Sequence, residues 1–220
     1  MPSDKLTLGF DTSVAHCAAA LLRGQEIIAS QVEEMSRGQA ERLIPLIEEM
    51  FAKADVTWRD LDRIGVGTGP GNFTGIRISV AAARGLALGL DIPAIGVPTL
   101  DSLALDQPRP CVALVAAPRE QVYLQQFLAD SATNAPVLCH LDEIESLWPA
   151  IETTWVGAHA DDCAKILSGE VLTPHHPLAE AIARIAASAP DESPSPTPLY
   201  IRAANATPAR ETSPIILDDA

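Results

Sequence analysis

The 220-residue chain reads as an α/β protein of two similar-sized lobes, and three features of its sequence predict that class. Each half opens on short apolar strands and continues into helices. The pattern restarts after Asp106-Gln-Pro-Arg-Pro110, which has the composition of a linker. A run from Gly65 to Gly75, holding five of the 13 glycines, joins a strand-like segment to a helix-like one, as α/β folds do at their turns.

Leu6–Phe10 is a short apolar strand that ends in Asp11-Thr12-Ser13, and the apolar run 15–22 and Glu26–Val32 follow it as a meander with turns at 11–13 and 23–25. From Gln39 to Ala54, Leu43, Ile44, Ile47, Met50 and Phe51 recur at helical spacing, with Pro45 expected to bend the helix. Thr57-Trp-Arg-Asp60 has capping-box spacing, with Asp in place of Glu, ahead of a strand over 63–68. Beyond the glycine loop a helix is expected from Thr74 to Leu90, then a strand at Ala94–Val97 and a helix over 100–105 with Thr99 as its N-cap.

The second half reads as strands at Cys111–Ala116 and Gln121–Leu128 around the turn 117–120, helices at 142–148 and 178–189, and a strand at 154–157. Four prolines between Pro190 and Pro198 exclude a regular element, and Leu199–Arg202 is a last short ordered contact. The expected organisation is a first lobe over 1–105, a smaller second lobe over 106–202 and a mobile tail over 203–220. No internal repeat is visible at the residue level.

With 29 acidic against 15 basic residues, the chain has a formal net charge of −14, which argues against autonomous binding to nucleic acid. No run is read as approaching the roughly 20 apolar residues of a membrane helix. The start of the chain lacks signal-peptide regions, and the four dispersed cysteines read as reduced thiols, so a cytoplasmic location is expected.

The glycine loop contains no Walker lysine and no Gly-x-Gly-x-x-Gly register, so two readings stay open: a phosphate cradle at a helix N-terminus, or a turn shaped for close packing. Asp11, Thr12 and Ser13 admit the same pair of readings, a phosphate or metal site or an Asx-type turn. The five histidines form no metal-binding spacing, and there is no Gly-x-Ser-x-Gly elbow. The small residues Ser79, Ala82, Ala83, Gly85, Ala87 and Gly89 would let another helix approach closely.

The segments Gly-Phe-Asp-Thr-Ser at 9–13, Gly-Thr-Gly-Pro-Gly-Asn-Phe-Thr-Gly-Ile-Arg at 67–77, Ala-Arg-Gly-Leu-Ala at 83–87, Ile-Gly-Val-Pro-Thr-Leu at 95–100 and Pro-Leu-Tyr-Ile-Arg at 198–202 together resemble the bacterial TsaB/YeaZ family. The resemblance spans nearly the whole chain and is weaker over 129–190. It implies the two-lobed superfold of actin, sugar kinases and heat-shock ATPases. It also implies a non-catalytic subunit that works with TsaD and the ATPase TsaE to make N6-threonylcarbamoyladenosine beside the anticodon of tRNAs reading A-starting codons.

On that resemblance the glycine loop comprises Gly67, Gly69, Pro70, Gly71, Asn72, Phe73, Thr74, Gly75 and Arg77, and Asp11, Thr12 and Ser13 are a vestigial phosphate site. Leu43, Ile47, Met50, Ile76, Ser79, Val80, Ala83 and Ala87 are the expected contact residues toward TsaD, or toward a second copy when TsaD is absent. No metal and no tightly bound cofactor are implied, any nucleotide belongs to the complex, and tRNA is reached only through it. Gln39 and Leu43 stand where TsaD carries its metal-binding histidines. Two departures are visible: Asn72 replaces a serine, and Ala116-Ala117-Pro118-Arg119 replaces an Asp-Ala-Arg hairpin before Val122-Tyr123. The rival reading is a stand-alone kinase-like enzyme or a glycoprotease-like peptidase.

Overall fold

The computed structural model describes residues 4–128, 135–147 and 153–201. The first sheet contains β1 (Leu6–Asp11), β2 (His16–Arg23), β3 (Glu26–Glu34), β4 (Arg63–Gly67) and β5 (Ala94–Val97) in the order β3-β2-β1-β4-β5. The first three strands are antiparallel, while β4 and β5 add parallel to β1. Helix α1 (Gln39–Ala54) follows β3, and α2 (Phe73–Leu90) links β4 to β5. The capping box of Thr57 and Asp60 forms as expected, opening a single 3-10 turn.

The second sheet contains β6 (Cys111–Ala117), β7 (Gln121–Phe127), β8 (Val137–His140), β9 (Thr154–Gly157) and β10 (Glu170–Leu172), ordered β10-β9-β6-β7-β8. Its antiparallel and parallel pairings repeat those of the first sheet, strand for strand. The duplication invisible in the residues is therefore present in the topology. Short α4 (Ile144–Leu147) follows β8, and α5 (Ala160–Leu167) links β9 to β10.

The helices that close each half change places. Helix α3 (Thr99–Ala104) leaves the first sheet and buries Leu100 and Ala104 with Cys111, Ala113, Val115 and Val156 of the second. Helix α6 (Leu178–Ser188) leaves the second sheet and lies across β1, β2 and β4 of the first. The boundary expected at 105/106 thus misassigns two elements: α3 belongs to the second core and α6 to the first. Thr99 is not the N-cap of α3 but its first residue, preceded by Pro98. The expected tail 203–220 and Arg202 lie outside the described residues.

Paired glycines explain how α6 reaches its sheet. Gly9 and Gly65 stand side by side on β1 and β4, and a Cβ on either would lie 2.4 Å from the Ala179 carbonyl oxygen or 2.6 Å from the Ala186 methyl. Arg63, 4% exposed, then secures the far end by donating to the carbonyls of Ala186 (2.5 Å) and Ala189 (2.6 Å) and pairing with Asp191. The Ala186 carbonyl also accepts from the amide of Ala189, the C-cap of α6, at 3.2 Å, so the guanidinium ties an already capped helix end to β4. Arg63→Ala is expected to lower unfolding free energy by about 3 kcal/mol, read by chemical denaturation, because it removes a buried side chain and the hydrogen bonds that tie the end of α6 to β4.

Arg42 of α1 bridges Glu33 of edge strand β3 (2.7 Å) and Glu49 (2.6 Å), and its guanidinium holds both carboxyls below their usual range. The four cysteines are buried and unpaired, in keeping with the reduced-thiol reading. Burial pushes the thiols up, Cys17 and Cys139 to about 11 and Cys163 to about 12.

Contrary to the sequence reading, α2 is long and apolar enough to cross a bilayer by length and composition. One face of it is committed to the first lobe through Ile76, Ser79, Val80 and Ala83, and the opposite side carries Arg77 and Arg84. It is packed as the helix of a globular lobe.

Candidate functional site

The glycine loop is built onto the turn that follows β1. Asn72 caps α2 by accepting from the Gly75 amide at 2.9 Å, so the Asn that departs from the family pattern serves as a capable N-cap. The Asn72 amide in turn donates to the Ser13 carbonyl at 2.6 Å. A Cβ at Gly71 would lie 2.4 Å from that carbonyl oxygen, and one at Gly75 would lie 1.8 Å from the carbonyl oxygen of Thr12. The Thr12 hydroxyl donates to the Gly75 carbonyl at 2.7 Å.

The loop backbone is therefore packed directly against the Asp11-Thr12-Ser13 turn. All three residues are fully buried. Asp11 Oδ1 accepts from the Ser13 amide (2.8 Å), the Ser13 hydroxyl (2.9 Å) and His16 Nε2 (3.0 Å), an Asx-type turn with an imidazole added. The glycines of the loop serve close packing against this turn. Asp11 Oδ2 faces Gly67, where a Cβ would lie 1.9 Å away.

The rest of the loop is anchored on both sides. The Thr99 amide donates to the Gly69 carbonyl (2.8 Å), Gly69 has φ +89°, and Leu199 donates to Thr68 at 2.9 Å. Pro70 sits between Gly69 and Gly71, and Thr74 stands exposed on the first turn of α2. Beside them the Arg77 guanidinium lies 3.8 Å from the centre of the Phe73 ring and donates to the Tyr200 hydroxyl at 3.1 Å. Phe73 and Tyr200 are each more than half exposed, so the loop presents an aromatic and cationic cluster to solvent.

Most of the expected partner-contact residues are buried within the chain's own core. Leu43, Ile47 and Met50 fill the core beneath the first sheet, and Ile76, Ser79, Val80 and Ala83 are likewise buried. Only Ala87 is partly exposed. Their apolar periodicity marks attachment to the sheet, and the open face of α2 is the opposite one, with Ala81, Arg84, Gly85, Leu88 and Gly89. Leu88 is 87% exposed, and no atom lies within 4 Å of where a Cβ would stand at Gly85 or Gly89. Residues 73–90 hold two arginines and no acid in a chain of net charge −14.

The other expectations resolve locally. Gln39 donates to the Met35 carbonyl at 3.1 Å, and Leu43 is buried in the first core. Among the described residues, no three His, Cys, Asp or Glu side chains converge in a metal-binding arrangement.

Two sheets of one topology, joined by exchanged helices, define a two-lobed α/β protein of the actin-like superfold. Within it the chain belongs to the TsaB/YeaZ family, residues 25–198 matching the family model described as TsaD, tRNA N6-adenosine threonylcarbamoyltransferase. It is 29% identical over 161 residues to the tRNA threonylcarbamoyladenosine biosynthesis protein TsaB of Buchnera aphidicola, covering 69% of this chain and 76% of that one. It is 27% identical over 187 residues to the protein of the same name from Escherichia coli, covering 76% and 80%. A solved Pseudomonas aeruginosa protein described as similar to peptidase YeaZ superposes with a TM-score of 0.73 at 24% identity, over 90% of this chain and all of that one.

Proposed function

We propose that this chain is the non-catalytic assembly subunit of the cytoplasmic complex that transfers a threonylcarbamoyl group to N6 of the adenosine beside the anticodon in tRNAs reading A-starting codons. Its direct partner is a TsaD-type transferase, joined by the ATPase TsaE, and a second copy of the chain takes the same surface when TsaD is absent. Transfer of the group is the partner's chemistry. This chain supplies a shaped surface, binds no cofactor tightly, and leaves nucleotide and tRNA to the assembled complex, in keeping with its acidity.

The observation that carries the reading is the contrast between a closely packed loop and an open helix. Backbone at Gly71 and Gly75 packs directly against the Asp11–Ser13 turn, while α2 leaves Leu88 and the bare backbone of Gly85 uncovered. A face of small residues lets a partner helix approach closely, and Arg77 and Arg84 suit an acidic or carbonyl-rich counterpart.

Reconstitution tests it. The purified chain is expected to hydrolyse neither ATP nor peptide alone, and to restore threonylcarbamoyladenosine formation when added to TsaD, TsaE and a supply of threonylcarbamoyl adenylate. Robust turnover by the chain alone, or no effect on its addition, would overturn the assignment.

A further inference from the structure

Between the two lobes lies a solvent-open cleft of about 630 Å³, a chamber that the proposed assembly role does not use. Val14, His16 and Ala18 wall it from the first lobe, and Leu114, Ala116 and Ala158 from the second. Its lining carries no lysine, arginine, aspartate or glutamate, and is otherwise aliphatic apart from Thr99, His16 and His176. A nucleotide's phosphates would find no cation there. The carboxylates bonded to its two histidines, Asp11 and Asp106, would repel them.

One buried polar group in this wall is left unsatisfied. The Thr99 hydroxyl is buried without a hydrogen-bond partner. Beside it His16 is oriented by the contact of its Nε2 with Asp11 Oδ1 (3.0 Å). Buried polar atoms are rarely left unpaired unless a water or ligand completes them. The size matches that of ordinary small-molecule sites, which are mostly apolar with a few placed polar groups.

The segments that precede β6 and α6 meet beside the chamber, tied by Gln107 Nε2 to the Thr173 carbonyl (3.0 Å) and by His176 Nε2 to Asp106 (2.7 Å). His176 also lines the chamber. A molecule lodged there would touch both lobes and the clasp that joins them.

We infer that the interlobe chamber binds an uncharged, predominantly apolar small molecule carrying one hydrogen-bonding group, and that it does not bind a nucleotide. Thr99 and His16 recognise the polar group, and the aliphatic walls of both lobes hold the body. The inference is independent of the partner-binding role, because the chamber and the open face of α2 share no residue.

The test titrates the full chain with the neutral fluorophore N-phenylnaphthylamine. Saturable one-to-one enhancement is expected, unaffected by millimolar ATP and accompanied by a shift of the His16 imidazole proton resonances. Ala158→Phe and Ala116→Phe each fill the chamber and are expected to weaken binding by about tenfold or more with the melting temperature retained. Leu88→Ser on the open helix is expected to leave it unchanged. Absence of saturable binding, displacement by ATP, retention of full affinity in both folded chamber variants, or loss in Leu88→Ser would each overturn the inference.

Discussion

Gly75→Ala is expected to destabilise the protein by about 3–5 kcal/mol, a large effect for the addition of one methyl group. The new carbon would lie 1.8 Å from the Thr12 carbonyl oxygen, which is backbone of the buried turn after β1 and has nowhere to retreat. Relief requires α2 to move away from that turn. Such a shift would strain the Thr12–Gly75 hydrogen bond and the Asn72 contact to Ser13. Gly85→Ala on the same helix is expected to act in the opposite direction. It meets no atom within 4 Å, so the gain in helix propensity should stabilise by about 0.5–1 kcal/mol. Thermal and denaturant unfolding of the two variants measures the contrast directly, and equal behaviour would show that the loop does not pack as described.

Leu88→Glu is expected to weaken association with a TsaD-type partner by on the order of 100-fold while leaving the melting temperature unchanged, as for an interface hot spot. Leu88 makes no burial that the folded chain needs, being 87% exposed, and a carboxylate there would have to be desolvated when a helix docks. Ala83→Arg separates the two faces of α2. Ala83 is fully buried, so a guanidinium at this position should unfold the first lobe rather than selectively abolish binding. Co-purification and circular dichroism on the two variants give four distinguishable outcomes. A Leu88→Glu chain that binds its partner normally would remove the open face from the interface.

The difficulty of telling these faces apart has a physical origin. On α1, large apolar residues at helical spacing unambiguously mark the core side, and the sequence gives its bounds, Gln39–Ala54, correctly. On α2 nearly every residue is small or apolar, so periodicity scarcely separates the buried stripe 75, 76, 79, 80 and 83 from the open one. The pointers were Arg77 and Arg84, whose charges require solvent on their side of the helix. The strands β1 to β7 were legible because apolar runs met clear turns. By contrast β8, α5 and β10 escaped notice: β10 is three residues long and largely exposed, and α5 announces itself only through Asp161 and Asp162 at its start. The exchange of α3 and α6 could not be read locally, since it depends on which sheet each helix covers.

That exchange governs how the chain can fold. Until residue 188 is available, β1 and β4 present Gly9 and Gly65 to water with no helix to cover them, although every strand of their sheet has long been complete. An amino-terminal fragment ending near 105 would lack α6 and would carry an orphaned α3 whose partners lie in the second sheet. Each half packs one core from its own residues, but the other face of each sheet is closed only by the exchanged helix, so the two should melt as one cooperative unit. Loss of a late helix would then be felt at the earliest strands, and a ribosome would have to release most of the polypeptide before the second face of either sheet could close.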